Sequence, residues 1–164
     1  MGLGHVNVQE EGFSIEAEIA SLQKQAEKQD DEMGAIASFI GQVRGNFDEN
    51  SQEAKGTLSA LHLQHYPGMS ERILSEIRNQ AMTRWPLQGA TIIHRIGRLI
   101  PGDEIVLVIT ASSHRKAAFQ ACEFLMDWLK TDAPFWKAEE AENGELHWVK
   151  AKDKDKVEKE KWNR

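Results

Sequence analysis

Three segments of the chain carry apolar residues at helical spacing. Each begins after a serine, a residue type that caps helix N-termini well. The second and third are followed by Pro86 and Pro134, and proline cannot continue a helix. The pattern therefore predicts helices over 15–28, from Ser70 to about Trp85, and from Ser113 to about Lys130.

Runs with strand character lie between and after these helices. Leu61 and Leu63 alternate with polar neighbours, which is typical of a half-buried strand. The polar stretch over 45–56 predicts a mobile loop, and Asn143-Gly144 is a strong signal for a hairpin turn. The predicted strands cover 35–44, 58–65, 91–96, 104–110, 135–139 and 145–149.

The order of these elements defines a fold class. It runs strand, helix, strand, loop, strand, helix, two strands, helix and hairpin, without a fixed repeat or strict alternation of strands and helices. This order predicts a single α+β domain with a mostly antiparallel sheet, packed helices and a C-terminal hairpin. The 164 residues suit one domain, which we predict over 1–149, followed by a charged tail over 150–164.

Charge and composition narrow the possible functions. The formal net charge of −6 argues against a general partner among nucleic acids or anionic membranes. No apolar run approaches the roughly 20 residues that span a bilayer, and the N-terminus has no secretory pattern. The single cysteine, Cys122, cannot form an internal disulfide. Together these features predict a cytoplasmic protein.

The common catalytic and nucleotide-binding motifs are absent from the sequence. The sequence has no phosphate-binding loop, no dinucleotide fingerprint, no His-Glu-x-x-His and no Gly-x-Ser-x-Gly. What remains is a set of basic residues at the ends of predicted elements within an acidic body: Arg44, His114, Arg115, Lys130 and Lys137. This placement predicts a site for a small anion, and no metal site is expected.

Each of these residues also has a purely structural interpretation. Lys130 complements the dipole at a helix C-terminus, and Lys137 could extend along a hairpin edge. His114 and Arg115 could be solvated charges on a first helical turn. Cys122 is either a small apolar core residue or a reactive thiol. The pattern alone leaves these alternatives open.

Aromatic residues flank the two lysines. Trp128, Phe135 and Trp136 could form a dry wall that lowers the pKa of a nearby lysine, which would make its amine useful in catalysis. The alternative is that these rings are ordinary core residues.

Several motifs resemble the large, catalytic subunit of molybdopterin synthase. The most specific is Met126-Asp-Trp-Leu-Lys-Thr-Asp-Ala-Pro-Phe-Trp-Lys. The resemblance runs from about Gly34 to Val149 and keeps its motifs in order. The others are Leu63-Gln-His-Tyr-Pro-Gly-Met-Ser-Glu, Arg84-Trp-Pro-Leu, Ile93-His-Arg-Ile-Gly, Pro101-Gly-Asp-Glu and Ser113-His-Arg.

The resemblance implies a fold, an activity and partners. It implies a hammerhead-like α+β domain that transfers sulfur from the C-terminal Gly-Gly thiocarboxylate of a small ubiquitin-like subunit. The acceptor would be cyclic pyranopterin monophosphate, and the product the dithiolene of molybdopterin in molybdenum cofactor biosynthesis. Two large subunits, back to back, would carry a small subunit at each end of a heterotetramer. No cofactor, nucleic acid or membrane is implied.

The resemblance also assigns roles to residues. Lys130 would be the main catalytic amine, and Lys137 would stabilise developing charge and help bind the pterin. This sequence departs from its relatives at Gln42 and Ala138, where they often carry basic residues. The substrate contacts implied by position are Gln42, Val43, Arg44, His114, Arg115, Lys137, Ala138 and Glu139.

Two other functions are weighed against this one. The first is a non-catalytic module that only docks a ubiquitin-like C-terminal tail. The second is an enzyme of unrelated chemistry that acts on a small phosphate ligand, such as an acyltransferase using Lys or His, and it would bind its ligand without any protein partner. Retention of both lysines in the most specific segment favours the sulfurtransferase.

Overall fold

A computed structural model of the chain describes residues 2–29, 32–46, 56–149 and 153–163. Most of the predicted loop over 45–56 lies outside these ranges. The strands are β1 (Val6–Gln9), β2 (Ala35–Gln42), β3 (Leu58–His65), β4 (Leu87–Arg95), β5 (Gly97–Leu99), β6 (Glu104–Ser112), β7 (Phe135–Ala141) and β8 (Leu146–Val149). The helices are α1 (Ile15–Lys28), α2 (Met69–Arg84), α3 (Arg115–Thr131) and α4 (Asp153–Glu160), with a 3₁₀ turn over Lys161–Asn163.

The strands form two four-stranded sheets. The first has the order β1-β4-β6-β2 and the second the order β5-β3-β7-β8. Strands β1 and β4 run parallel, with Val6 opposite Ile92. The other strand pairs of both sheets are antiparallel. The α+β class with largely antiparallel pairing is thus confirmed, with the strands divided between two sheets.

The first sheet is covered on both faces, and β6 shows why. Its side chains alternate, so Val106 and Val108 pack into one cluster with α2 and α3, while Leu107 and Ile109 pack into another with α1. A strand buried on both faces reads as a continuous apolar run, which the sequence of β6 has. A third cluster, which includes Leu61 and Leu63, lies under the second sheet.

The start of α2 differs from the prediction. Gly68, not Ser70, is the N-cap, with a φ of 80° that glycine adopts readily. Its N–H donates to the Glu71 carboxylate at 2.7 Å. Ser70 is buried inside the helix and donates from Oγ to the Pro134 carbonyl at 3.3 Å. The serine therefore ties α2 to the segment before β7.

The last helix packs on α3. Trp162 lies edge-on to Trp85 and Phe124, with ring centroids 5.5 and 5.6 Å away. Its indole N–H donates to Asp127 at 2.7 Å, and Lys161 pairs with the same carboxylate at 3.1 Å. Much of the predicted charged tail is thus helical and docked on the domain. The division at residue 149 stays a prediction.

Candidate functional site

A cleft of about 760 Å³ opens between the two sheets and the C-terminal end of α3. Its walls come from β2, β3, β4, β6, β7, β8 and α3, so strands of both sheets and one helix shape it. Apolar side chains of the third cluster, among them Leu61 and Leu63, form part of its lining. The polar residues along it are Gln42, Arg44, Asn46, His94, Lys130, Lys137 and Glu139.

Both predicted catalytic lysines lie in this cleft, on different elements. Lys130 is an exposed residue in the last turn of α3. Lys137 lies on β7 opposite Leu63 of β3. Because side chains alternate along a strand, Phe135, Lys137 and Glu139 share the cleft face of β7. The helix end and the strand thus present two amines to one space.

The segment after β2 places Arg44 in the same cleft. The pairing of β2 with β6 shifts register between Gly41 and Gln42. Val43 is buried, and its backbone N–H donates to the Asp103 carbonyl at 2.9 Å. Its carbonyl accepts from Gly102, also at 2.9 Å. These bonds fix the chain just before Arg44, which is exposed at the cleft.

Residues 138 and 139 of β7 point to opposite sides of the second sheet. Glu139 is buried and lines the cleft. Ala138 is buried between its neighbours His62 and Trp148 on the outer face. A contact from Ala138 to a ligand in the cleft would therefore have to come from its backbone.

His114 and Arg115 are not brought to the cleft within one chain. His114 is the N-cap of α3 and Arg115 is its first residue. At 1.5 Å per residue, the 16 residues to Lys130 correspond to about 24 Å along the helix. One chain cannot close this distance around a single small anion.

The aromatic residues near the lysines lie in three different environments. Trp136 is on the outer face of the second sheet and 49% exposed. Trp128 packs against Phe124, with the Lys159 amine 3.9 Å from its ring centroid. Phe135 alone of the three lines the cleft. Of the two alternatives for these rings, the dry wall of Trp128, Phe135 and Trp136 around the lysines is not formed, because neither indole faces the cleft.

His94 also lines the cleft, although no sequence pattern predicts a functional role for it. Its ring is stacked on Phe135, with centroids 3.8 Å apart and 9° between the planes. Burial lowers the pKa of His94 to about 4. The residue lies within a motif that carried the family resemblance, but one histidine in a strand gives no sign of facing a cleft.

A second groove of about 450 Å³ adjoins the cleft and shares Phe39, Met126 and Lys130 with it. It runs between α3 and β2, which is an edge strand of the first sheet. Cys122 is buried beside this groove, and burial raises the pKa of its thiol to about 11. Of its two interpretations from sequence, this favours the small apolar core residue.

Within the ranges given above, no group of three or more His, Cys, Asp or Glu side chains could hold a metal ion. None of the described helices is long and apolar enough to cross a membrane.

Comparisons with known proteins agree with this fold. The chain matches the family described as MoaE protein over residues 8–132. It is 47% identical to the molybdopterin synthase catalytic subunit of Mesorhizobium japonicum, over 96% of this chain and 92% of that protein. The solved structure of the molybdopterin biosynthesis MoaE protein from Burkholderia ambifaria superposes with a TM-score of 0.79, at 40% identity over 99% of each chain.

A more distant solved structure shares the fold. It is the protein–protein complex of subunits 1 and 2 of molybdopterin-converting factor from Helicobacter pylori. Its TM-score is 0.69 at 19% identity, over 88% of this chain and 90% of that one. From the family match and the extent of the identity, we conclude that this chain belongs to the MoaE family of molybdopterin synthase catalytic subunits.

Proposed function

We propose that this chain transfers sulfur from the C-terminal thiocarboxylate of a small ubiquitin-like subunit to cyclic pyranopterin monophosphate, which forms the dithiolene of molybdopterin. As a MoaE family member it is an enzyme of molybdopterin synthesis. The observation that carries the detailed proposal is the single cleft that holds Arg44, Lys130 and Lys137.

The charges of this cleft suit the proposed reactants. The pterin substrate carries a phosphate, and the thiocarboxylate of the donor tail is also an anion. Three cations converge in the cleft of a chain whose net charge is −6. Such a local concentration attracts small anions even where the overall charge repels polyanions. It also stabilises negative charge that develops during the reaction.

We assign different roles to the two lysines. Lys130, exposed at the end of α3, is the main catalytic amine, which assists attack on the thiocarboxylate or proton transfer around it. Lys137 stabilises developing charge and helps to bind the pterin. Arg44 and Gln42 contact the anionic part of the substrate, and Val43, whose backbone N–H and carbonyl are both bonded to the Gly102–Asp103 turn, holds the chain in place before Arg44. Glu139 borders the same space, and Ala138 contributes through its backbone.

We further propose a homodimer in which each copy completes the cleft of the other. Phe39, which is 40% exposed, and Phe119, which is 65% exposed, lie along the second groove, and β2 is an open sheet edge beside them. If two α3 helices pack antiparallel about a two-fold axis near their middle, the start of one lies beside the end of the other. His114 and Arg115 of one copy would then approach Lys130 of its partner.

The proposed sulfur donor is a separate, smaller protein subunit. The relative from Helicobacter pylori is a complex of two different subunits, and we propose a small-subunit partner for this chain as well. Its C-terminal tail would lie extended in the cleft, where Val149 of the edge strand β8 forms part of the wall. An exposed strand edge offers the backbone hydrogen bonds that an extended tail needs. A heterotetramer follows if two such pairs share the homodimer contact.

Reconstitution tests the proposed function. The purified chain is mixed with thiocarboxylated small subunit and cyclic pyranopterin monophosphate, and molybdopterin is measured. We expect product only when all three components are present. A chain that binds the small subunit but forms no product would be a docking module. A chain that binds a phosphate ligand but no protein would belong to the other alternative, and either result would reject the proposal.

A further inference from the structure

His94 occupies a defined place in the cleft. It lies on β4 opposite Val106 of β6, near the end of the first sheet. Its imidazole is stacked face to face on Phe135 of β7, which belongs to the second sheet. The pair therefore links the two sheets at the wall of the cleft, where the two rings lie in contact.

The hydrogen bond of this imidazole fixes its tautomer. Nδ1 lies 2.8 Å from the backbone carbonyl oxygen of Arg95. A carbonyl oxygen only accepts, so Nδ1 carries the proton and Nε2 keeps a lone pair. Burial lowers the pKa of His94, against the opposing effect of the bond to Arg95, and nearby His65 lowers it further. At neutral pH the ring is uncharged, and its Nε2 is a hydrogen-bond acceptor.

The cleft thus offers two kinds of surface. Arg44, Lys130 and Lys137 are cations suited to a phosphate or a carboxylate-like group. The stacked rings of His94 and Phe135 form an uncharged aromatic surface with one acceptor atom. This second surface suits a flat, neutral heterocycle that presents an N–H group.

We propose that His94 determines specificity for the pterin ring: its Nε2 accepts a hydrogen bond from a ring N–H of the substrate, and the stack on Phe135 holds the imidazole in position for that bond. The inference rests on the proposed function, because it takes the pterin as the substrate. It adds a contact to the ring, beyond the contacts to the anionic groups.

The test uses the reconstituted synthase with variants His94→Phe and His94→Gln. The Phe variant keeps a flat ring for stacking but removes the acceptor, and His94→Leu removes it as well if the Phe variant does not fold. The Gln variant restores an acceptor oxygen. A lost hydrogen bond of ordinary strength corresponds to about a three- to tenfold rise in KM for the pterin in the Phe variant. We expect kcat and the KM for the thiocarboxylated subunit to change less than about twofold.

Calorimetric binding of cyclic pyranopterin monophosphate gives a second readout that does not depend on turnover. The Phe variant should bind it more weakly by the same factor, and the Gln variant should recover most of the loss. His5→Gln is the matched control, because this histidine is exposed, lies outside the cleft and is paired with Glu18 at 3.6 Å. It should leave both the KM and the binding constant unchanged.

The outcomes separate this inference from the proposed function. An active wild-type enzyme with an unchanged pterin KM in the Phe variant overturns the role of His94 alone. Equal losses in the Phe and Gln variants overturn it too, because they indicate a structural role for the ring. A wild-type chain that neither binds the pterin nor forms molybdopterin overturns both.

Discussion

Arg98 and Glu140 are joined by two hydrogen bonds across the outer face of the second sheet. Arg98 donates from Nε to Oε2 at 3.0 Å and from Nη2 to Oε1 at 2.9 Å. His62, on the strand between them, lies 2.5 Å from Oε2 of the same carboxylate. The three residues link β5, β3 and β7 behind the cleft, so they support the strand that carries Lys137.

This network gives the fold a dependence on acid. The hydrogen bonds from Arg98 and from His62 lower the pKa of Glu140 from 4.5 to about 2. A lowered folded-state pKa adds stability that is fully present above pH 4.5 and is lost as the pH falls toward 2. We expect the free energy of unfolding to fall over this window, and to fall less in Arg98→Met. Urea unfolding at pH 7, 4 and 3 measures it.

The exposed pair of Arg72 and Glu76 supplies the control for that experiment. Arg72→Met should lose stability with falling pH as the wild type does. If Arg98→Met has the same acid dependence as the wild type, the network does not hold Glu140 in its charged form.

The two cleft lysines should affect turnover and leave the fold intact. Lys130→Ala and Lys137→Ala each remove a cation that we place at the reacting groups, so we expect kcat to fall by about 10² or more. Lys130 is exposed, so its loss should change the free energy of unfolding by less than about 0.5 kcal/mol. Molybdopterin formation with preloaded small subunit and urea unfolding give the two measurements.

Lys24→Ala is the matched control, because this lysine is exposed on α1 outside the cleft. It should keep wild-type kcat. Near-normal turnover in Lys130→Ala would remove that lysine from the mechanism.

Complementation tests the shared cleft of the proposed homodimer. Lys130→Ala and Arg115→Ala chains should each be weakly active alone. In a mixed dimer, one cleft combines the intact Lys130 of one copy with the intact Arg115 of the other. Random exchange of subunits should therefore restore about a quarter of wild-type activity. Activity after co-refolding an equimolar mixture measures this, and the unmixed variants are the control. No recovery in the mixture would contradict the shared cleft.

Arg78 should contribute to the stability of the fold and have no direct role in catalysis. It is buried, and within the described part of the chain its hydrogen bonds go to backbone carbonyls: to Ala90 at 2.7 Å, to Leu3 at 2.6 Å and to Gly2 at 3.1 Å. Arg78→Met leaves these oxygens without their charged donor, so we expect a loss of about 3 kcal/mol. Urea unfolding measures the loss, and Arg72→Met on the same helix is the exposed control. Equal stability of the two variants would contradict this role.

Elements whose signals are local could be predicted from the sequence. The helix over 15–28 was predicted with the bounds that α1 has, because Ser14 caps it by accepting the N–H of Ala17 at 3.2 Å. The strand over 58–65 was also correct. In both, the residues that set the ends lie within the element or next to it.

Elements that depend on distant partners were missed or shortened. Strand β5 has three residues and exists through its pairing with β3, to which the local pattern gives no clue. Strand β4 begins at Leu87, before the predicted start, because Gly89 fits against Leu3, and a Cβ there would lie 2.8 Å from the side chain of Leu3. The alternation of apolar and polar residues along a strand gives no information about such a close contact between distant segments.

The residues of the candidate site also fall into a group that could be predicted from the sequence and a group that could not. The family resemblance pointed to Lys130, Lys137 and Arg44, and one cleft contains all three. The distance of His114 from that cleft depends on the length of α3 and could not be seen in a motif. The position of His94 depends on how two sheets meet, which is a property of the tertiary structure alone.

The burial of Cys122 has a consequence for side reactions. A thiolate beside an activated acyl donor would trap the donor as a thioester on the enzyme. Because its pKa is raised to about 11, this thiol remains protonated at neutral pH and is a poor nucleophile. An enzyme that transfers sulfur from another protein would thus be protected from acylation of its own cysteine.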